Sequence, residues 1–519
     1  MTTRLITGIM LVFLTALPSL AERPRPLGWG IDAMRSGDWD TAARLATRDG
    51  EVAADVIEWA RLRAGLGSFQ EVEAFLTRRP DWPGERYLRR KSESAVLGQS
   101  DAVVLQFFAT TPAQTPAGVL RYSKALRNAG RSDEADATLT GSWLNLPMNA
   151  SVQQRYLELH SKLLAPHHDA RLDAMLWQGA IENARRMFSL ASDGATAAAK
   201  ARIALRARQK GVDTLIEAIP ASHAKQPGLQ YERFVWRARR GRTDSAIELL
   251  LQTSVSAEAL GRPEEWANRR RSLARLEMRE GNPERAYEIA ARHFMTAGSG
   301  YSDLEWLAGY IALYKLNEPD TALRHFEKLD AAVQSPISKG RAGYWRGRAL
   351  ERMGDAAAAD QAYVDAAQYQ TSFYGLLAAE RAGVPFDTAL GADGPEGLWE
   401  VSALAKRPLF EAGLLLQASG EISLAERFWT HLAESLSEGD AALLAQAALD
   451  AEQPHIAVMI GKRVARRGIV IPHGYYALHP VATQDLPMAP EMTLSIARRE
   501  SEFDPFVQSG VGARGLMQI

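Results

Sequence analysis

A glycine followed five residues later by an alanine recurs along the chain, and this repeat limits the possible folds more than any other feature. The pairs are Gly37/Ala42, Gly130/Ala135, Gly241/Ala246, Gly281/Ala286, Gly354/Ala359 and Gly420/Ala425, with Asn317/Ala322 as a variant. Glycine and asparagine tolerate the left-handed conformation that follows the last turn of a helix. From Gly241 through Gly281 and Asn317 to Gly354 the repeat advances by 40, 36 and 37 residues. That period is typical of a two-helix unit, so an α-solenoid is predicted.

Capping residues and side-chain periodicity indicate the same fold class. Asp38, Ser132, Asp244 and Asp355 stand at the start of the second helix of a pair, where their side chains are expected to cap it. Apolar residues recur every three or four positions between 304 and 326, as in an amphipathic helix. No alternating hairpin pattern surrounds an Asn-Gly or Asp-Gly turn, so strand signals are almost absent. We predict an all-α chain.

The first 21 residues are predicted to be a secretory signal peptide. An apolar stretch covers residues 5–20, and Ser19 and Ala21 supply the small residues of a cleavage site. The alternative is an N-terminal membrane anchor, which the short apolar stretch disfavours. No later segment reaches about 18 uninterrupted apolar residues, so the mature protein is expected to be soluble.

Composition excludes several classes of site. The chain has no cysteine, which excludes disulfides, zinc-thiolate centres and cysteine nucleophiles. A net charge of −1 gives no field that would favour nucleic acid as a partner. His167, His168 and Asp169 lack further ligands at metal-binding spacing, so no metal and no cofactor are predicted. The basic runs at 269–271 and 462–467 are interpreted as solvated helix faces, with contact to a glycan or anionic polymer as the alternative.

Two stretches rich in glycine and proline divide the chain. Residues 383–397 (GVPFDTALGADGPEG) are predicted to be a linker, and residues 471–490 form a second break with Tyr475 and Tyr476 inside it. We therefore predict a superhelical domain at 22–382, the linker at 383–397, a helical linker domain at 398–470 and a final segment at 471–519.

The final segment carries a candidate general acid. If residues 489–503 form a helix, Glu500 falls on one arc with Met492, Ile496, Ala497 and Phe503. A carboxyl group on an apolar face loses hydration, which favours the neutral form that a general acid in glycoside cleavage needs. The alternative is a helix-end glutamate that bonds a nearby backbone N–H group.

A loop of small residues follows this helix. Five of them lie between Ser509 and Gly515 and allow a backbone to approach a ligand closely. Gln518 is the polar residue in the apolar run 516–519. An ordinary helix-surface position is the alternative interpretation of Gln518.

The two motifs E-S-x-F-x-P at 500–505 and S-x-x-G-A-x-G-L-M-Q-I at 509–519 resemble the first two motifs of the soluble lytic transglycosylases with a goose-lysozyme-like catalytic domain. Segments 171–177, 305–310, 344–348 and 372–375 resemble the superhelical domain of that family, so the resemblance covers most of the mature chain. It implies an α-superhelix of helical hairpins, a helical linker domain and the first part of a lysozyme-like domain.

The resemblance also implies an activity. A member of this family is a periplasmic lyase that cleaves the β-1,4 bond from N-acetylmuramic acid to N-acetylglucosamine in peptidoglycan and leaves a 1,6-anhydro end. Glu500 matches the acid/base of the family, and Ser501, Ser509, Met517 and Gln518 match substrate-binding positions. Expected partners are peptidoglycan strands and other cell-wall enzymes, with no nucleic acid and no stable membrane insertion.

Later motifs of the family, including an Ala-Tyr-Asn-type segment, have no counterpart after Ile519. We therefore expect the 519-residue chain to be a C-terminally truncated form that is inactive by itself. Two other functions stay open at the level of sequence: a non-catalytic periplasmic helical-repeat scaffold and a lysozyme-type hydrolase.

Overall fold

The computed structural model describes residues 25–391 and 394–519. The predicted signal peptide at 1–21 lies outside these ranges. Within them the protein is all-α, and an isolated bridge between Gln508 and Arg514 is the one β-type pairing that they contain. Every helix found in these ranges is too short or too polar to span a bilayer. The prediction of an all-α superhelical fold is confirmed.

The helices follow one another in short hairpins. The first 23 are α1 (Pro26–Arg35), α2 (Trp39–Ala46), α3 (Glu51–Arg63), α4 (Phe69–Arg78), α5 (Glu85–Val96), α6 (Asp101–Thr110), α7 (Pro116–Asn128), α8 (Ser132–Asn145), α9 (Ala150–Leu164), α10 (His168–Trp177), α11 (Ile181–Arg185), α12 (Asp193–Arg206), α13 (Val212–Glu217), α14 (Pro227–Arg239), α15 (Thr243–Thr253), α16 (Ala257–Leu260), α17 (Pro263–Glu280), α18 (Pro283–Ala291), α19 (Gly298–Ile311), α20 (Pro319–Ala332), α21 (Pro336–Met353), α22 (Ala356–Ala367) and α23 (Phe373–Ala382). The last six are α24 (Pro408–Ala418), α25 (Ile422–Ala433), α26 (Glu438–Asp450), α27 (Pro454–Ala465), α28 (Pro472–Tyr475) and α29 (Pro490–Ser501). Short 3₁₀ turns lie at Thr47–Asp49, Ala165–His167, Thr388–Gly391, Trp399–Val401, Ala403–Lys406 and Pro480–Thr483, and a π-helical turn lies at Ala312–Leu316.

The predicted repeat is present at each of its positions. All six glycines have a positive φ, from 71° at Gly241 to 88° at Gly281, and Asn317 has a φ of 56°. The alanine of every pair is at most 1 % exposed, as at Ala359. Each unit therefore turns through a left-handed residue and then crosses its neighbour at a small side chain.

Two of the four predicted caps are wrong. Asp38 and Asp355 do cap their helices by accepting hydrogen bonds from backbone N–H groups three residues ahead. Ser132 is instead the first residue of α8, and Asp244 lies inside α15. The carboxylate of Asp244 pairs with Arg285 at 2.9 Å, so it joins neighbouring hairpins rather than capping its own helix.

The path of helices closes on itself. Phe428 of α25 is fully buried, with its ring centroid 5.1 Å from those of Trp59 and Trp82 near the N-terminus. Beside it, Arg35 of α1 binds Glu421 through two hydrogen bonds of 2.8 and 2.6 Å. Residues 404–503 therefore share a hydrophobic core with the first helices of the chain.

The closure gives a prediction on stability. Replacement of Phe428 by alanine removes the ring between two tryptophans and leaves a cavity, so the free energy of unfolding should fall by about 3–5 kcal/mol. The control Arg35→Ala breaks an ion pair whose arginine is 56 % exposed, and its loss should stay below about 1 kcal/mol. Denaturant unfolding measures both. Equal losses in the two variants would show that the aromatic contact does not hold the closure.

Candidate active site

Helix α29 positions the candidate general acid. Pro490 stands in its first turn. Backbone N–H groups there have no acceptor within the helix, so the absence of an N–H group in proline costs no hydrogen bond. The helix ends at Ser501, two residues before the predicted end. Glu502 and Phe503 then adopt left-handed backbone conformations with φ of 55° and 68°. These two residues turn the chain sharply out of the helix, and the small-residue loop begins.

The apolar arc predicted around Glu500 divides into two faces. Ala497 and Phe503 are buried, whereas Met492 and Ile496 are 56 % and 36 % exposed, and Glu500 is exposed with them. The prediction that the side chain of Glu500 loses hydration is therefore wrong, because this side chain is exposed in the described part of the chain. The helix packs through the small side chains at 493, 497 and 501, and the larger apolar residues of the arc stay outside that contact.

The acids next to Glu500 are already engaged. Glu502 forms an ion pair with Lys462 of α27. Asp504 accepts a hydrogen bond of 2.8 Å from the N–H of Phe506, which shapes the start of the loop. Across residues 25–391 and 394–519, Glu500 has neither an ion pair nor a hydrogen bond through its side chain. It is thus the available carboxylate at this end of the helix.

Ser501 connects helix α29 to the loop. Its side chain is buried, and its Oγ lies 3.0 Å from the carbonyl oxygen of Ala497 and 2.9 Å from that of Leu516. The first contact is the common one within a helix, and the second crosses to the loop. Ser501 therefore holds the loop beside the carboxyl end of α29 and contributes no exposed hydroxyl group.

Ser509 and Gln518, two predicted substrate-binding residues, keep the loop in shape. Ser509 donates its N–H to Ala513 at 2.8 Å, and its Oγ accepts the Ala513 N–H at 3.0 Å. The amide of Gln518 donates to the carbonyl oxygens of Val507 and Gly515 at 3.1 and 2.9 Å. Each of these side chains closes the loop on itself.

Met517 is half-buried and packs against the main hydrophobic core. The structure thus brings Ser509, Met517 and Gln518 together in one folded loop, and Ser501 at the end of α29 is hydrogen-bonded to that loop through Leu516. Glu500 projects from the solvent side of the adjoining helix end.

Sequence reasoning missed the cluster on the other side of α29. The guanidinium of Arg498 lies 4.6 Å from the ring centroid of Tyr475 and 5.3 Å from that of Tyr476. Lys462 lies beside them, and burial, followed by repulsion from nearby arginines, lowers its pKa. The adjacent tyrosines and the basic run at 462–467 were visible in the sequence, but the helix crossing that joins them was not.

His479 supports the turn after the helix. Its ring stacks on Phe503 with the centroids 5.4 Å apart, and its Nδ1 accepts the N–H of Val481 at 3.0 Å. Burial lowers the pKa of His479 below its ordinary value. The folded state therefore favours the neutral imidazole.

The Ser501 contact predicts the effect of one hydroxyl group. Ser501→Ala removes the donor to Leu516 and leaves a half-buried carbonyl unsatisfied, so the local opening free energy of residues 505–516 should fall by about 1–3 kcal/mol. Hydrogen exchange of these amides measures the change. Ser495→Ala is the control, because that exposed hydroxyl bonds only within the helix. An identical response of both variants would contradict a connecting role for Ser501.

The burial of His479 predicts a dependence on pH. A histidine whose folded pKa is lowered contributes stability that is full above the unfolded pKa, about 6.5, and declines as the pH falls below it. Exchange protection of residues 480–503, corrected for intrinsic rates, should be lower at about pH 5.5 than at about pH 7.5. His479→Asn keeps an acceptor for Val481 and should remove most of this difference. If the Asn variant keeps the full pH dependence, another group is responsible.

Comparison with known proteins identifies relatives of this architecture. Residues 480–519 match the family described as the transglycosylase SLT domain, while no curated protein matches the sequence. The 70 kDa soluble lytic transglycosylase SLT70 from Escherichia coli is 18 % identical with a TM-score of 0.57, over 95 % of this chain and 79 % of that one.

A second solved structure agrees. An inactive mutant of the lytic transglycosylase Slt from Pseudomonas aeruginosa is 18 % identical with a TM-score of 0.60, over 96 % of this chain and 80 % of that one. Identity at this level shows a shared fold, and the motif match covers the segment that carries Glu500. The chain therefore shares the fold of two solved lytic transglycosylases, and its residues 480–519 match the transglycosylase SLT domain.

Proposed function

We propose that this chain is a peptidoglycan lytic transglycosylase that cleaves the β-1,4 bond from N-acetylmuramic acid to N-acetylglucosamine and forms a 1,6-anhydro end. The observation that carries the proposal is the match of residues 480–519 to the transglycosylase SLT domain. That segment contains the exposed Glu500 and the loop held by Ser501, Ser509 and Gln518.

The arrangement of acids supports a mechanism with one carboxyl group. Glu500 first donates its proton to the glycosidic oxygen as the bond to C1 breaks. The resulting carboxylate then takes the proton from the muramoyl O6 hydroxyl as that oxygen bonds to C1, which restores the acid and closes the anhydro ring. Ordinary glycosidases need a second carboxylate across the bond. Here Glu502 is paired with Lys462, and attack from within the substrate gains effective concentration.

The exposure of Glu500 sets a condition on this mechanism. A general acid must be protonated near neutral pH, and removal of water is what raises a carboxyl pKa. In the described residues Glu500 is exposed, so a bound glycan has to cover it before the reaction.

The loop supplies the other proposed contacts. The small residues around Ser509 let a sugar approach the backbone, and Met517 and Gln518 stand at matched binding positions. Because the hydroxyl of Ser501 is buried, its contribution is to position the loop. Secretion through residues 1–21 to the periplasm would bring the protein to its substrate, and other cell-wall enzymes are the further partners we expect there.

The assignment of Glu500 is tested by Glu500→Gln in the 519-residue chain and in any longer product of the same reading frame. Release of soluble muropeptides from purified peptidoglycan should fall at least about 100-fold, because the amide cannot transfer the proton. Asp485→Asn, which changes an exposed acid in the same matched segment, is the control. Unchanged release by Glu500→Gln would remove Glu500 from the mechanism.

The products separate the competing functions. Mass spectrometry should show anhydro ends, which are lighter than hydrolysis products by one water molecule. Products that contain the added water would identify a lysozyme-type hydrolase. Peptidoglycan binding without any product, in every chain tested, would favour a non-catalytic scaffold.

A further inference from the structure

A cleft lies on the side of α29 opposite Glu500. Its volume is about 530 Å³, and it is bounded by α27, α28 and α29, with Ile337 of α21 at one edge. Arg498 lines it and precedes Glu500 by two residues, which places the two side chains about 160° apart around the helix. The cleft is therefore separate from the face that carries the candidate acid.

The floor of the cleft is an arginine stacked on tyrosines. Tyr475 comes close to α27 because Gly461 has no side chain: a Cβ there would lie 2.7 Å from the Tyr475 nitrogen. Arg498 rests on the rings of Tyr475 and Tyr476. Its Nε is buried and has no hydrogen-bond partner among the residues that the structure describes. Stacking fixes the guanidinium plane and leaves its outer N–H groups for a planar acceptor.

The charges of the cleft favour a single anion. Arg498 and Arg499 both line it and form no ion pair within the described ranges, whereas Lys462 is paired with Glu502. Glu491, at the opposite end of α29, is the other carboxylate of the lining. Three cations against two carboxylates leave a net charge of about +1, which one carboxylate would neutralise.

The walls are apolar and solvent-exposed. Leu478 is 72 % exposed, Ile337 is 58 % exposed, and Leu494 completes the apolar side. A phosphate dianion is strongly hydrated and would face the two glutamates, so it matches this mixture poorly. A carboxylate next to a small apolar side chain matches it better, because the fork of an arginine binds a carboxylate through two parallel hydrogen bonds.

We propose that this cleft binds the carboxyl terminus of a short peptide, with Arg498 holding the carboxylate and Leu478 and Ile337 contacting its terminal side chain. The carboxylate site stands on its own geometry. That the natural ligand is a peptide of peptidoglycan rests on the proposed function. In that case the enzyme holds its polymer at two places, one on each side of α29.

The proposal is tested by titration of the full chain with N-acetyl-alanyl-alanine and with its C-terminal amide. The free carboxylate should bind at least about tenfold more tightly than the amide, because a charge-assisted pair is lost in the amide. Arg498→Gln should weaken binding of the carboxylate by a similar factor, and Arg498→Lys should restore part of it. The exposed Arg514, outside the cleft, supplies the control Arg514→Gln, which should bind normally.

Three results would overturn the proposal: equal binding of acid and amide, binding unaffected by both Arg498→Gln and Arg499→Gln, or tighter binding of inorganic phosphate than of the peptide. Arg499 is exposed, so its variant stays informative if Arg498→Gln disturbs the fold.

Glu500→Gln should leave peptide binding intact. A failure of the proposed catalytic role therefore leaves this site standing, and a failure of peptide binding leaves the catalytic role standing.

Discussion

The whole architecture depends on close helix crossings at small side chains. A left-handed glycine or asparagine ends one helix, and five residues later an alanine such as Ala42 or Ala286 is fully buried where the next helix crosses. A larger side chain at such a position would push the backbones apart, because a packed core does not absorb extra volume without strain. Many similar crossings accumulate into a curved path, which brings α25 back to the first helices.

The closure creates the platform for the candidate active site. Phe428 meets Trp59 and Trp82 in the same hydrophobic core that continues through α27 to Ala497 and Phe503. Helix α29 is short and carries the candidate functional groups at its end, so it owes its position to this packing rather than to its own helical stability. A site on such a supported element keeps its geometry better than one on an isolated loop.

Features that depend on local chemistry were predictable, and those that depend on distant contacts were not. The repeat, the helical class and the residues of the motif loop follow from spacing and residue type. Phe428 looks like any other apolar residue of a helix, so nothing local indicates its two tryptophan partners. Asp244 has the residue type of a cap, yet Arg285 in the next hairpin binds it. The surroundings of Glu500 were misjudged because a helical arc shows which residues share a face, and not what covers that face.

Under the proposed function and the proposed peptide site, the two faces of α29 would have opposite electrostatic requirements, and the position of Glu502 fits both. A single-carboxyl mechanism works best when no second carboxylate reaches the sugar, since another acid there could activate water and favour hydrolysis. The left-handed backbone at Glu502 and its pairing with Lys462 hold that carboxylate on the cation side of the helix. The carboxylate of Glu502 in turn stabilises the protonated form of Lys462. The pKa of Lys462 is lowered by burial and by the nearby positive charge of Arg498. Under these proposals, the ion pair of Glu502 with Lys462 keeps a competing base away from the acid face. Arg498 and Arg499 then outnumber Glu491 on the opposite face, and the remaining positive charge would attract a carboxylate.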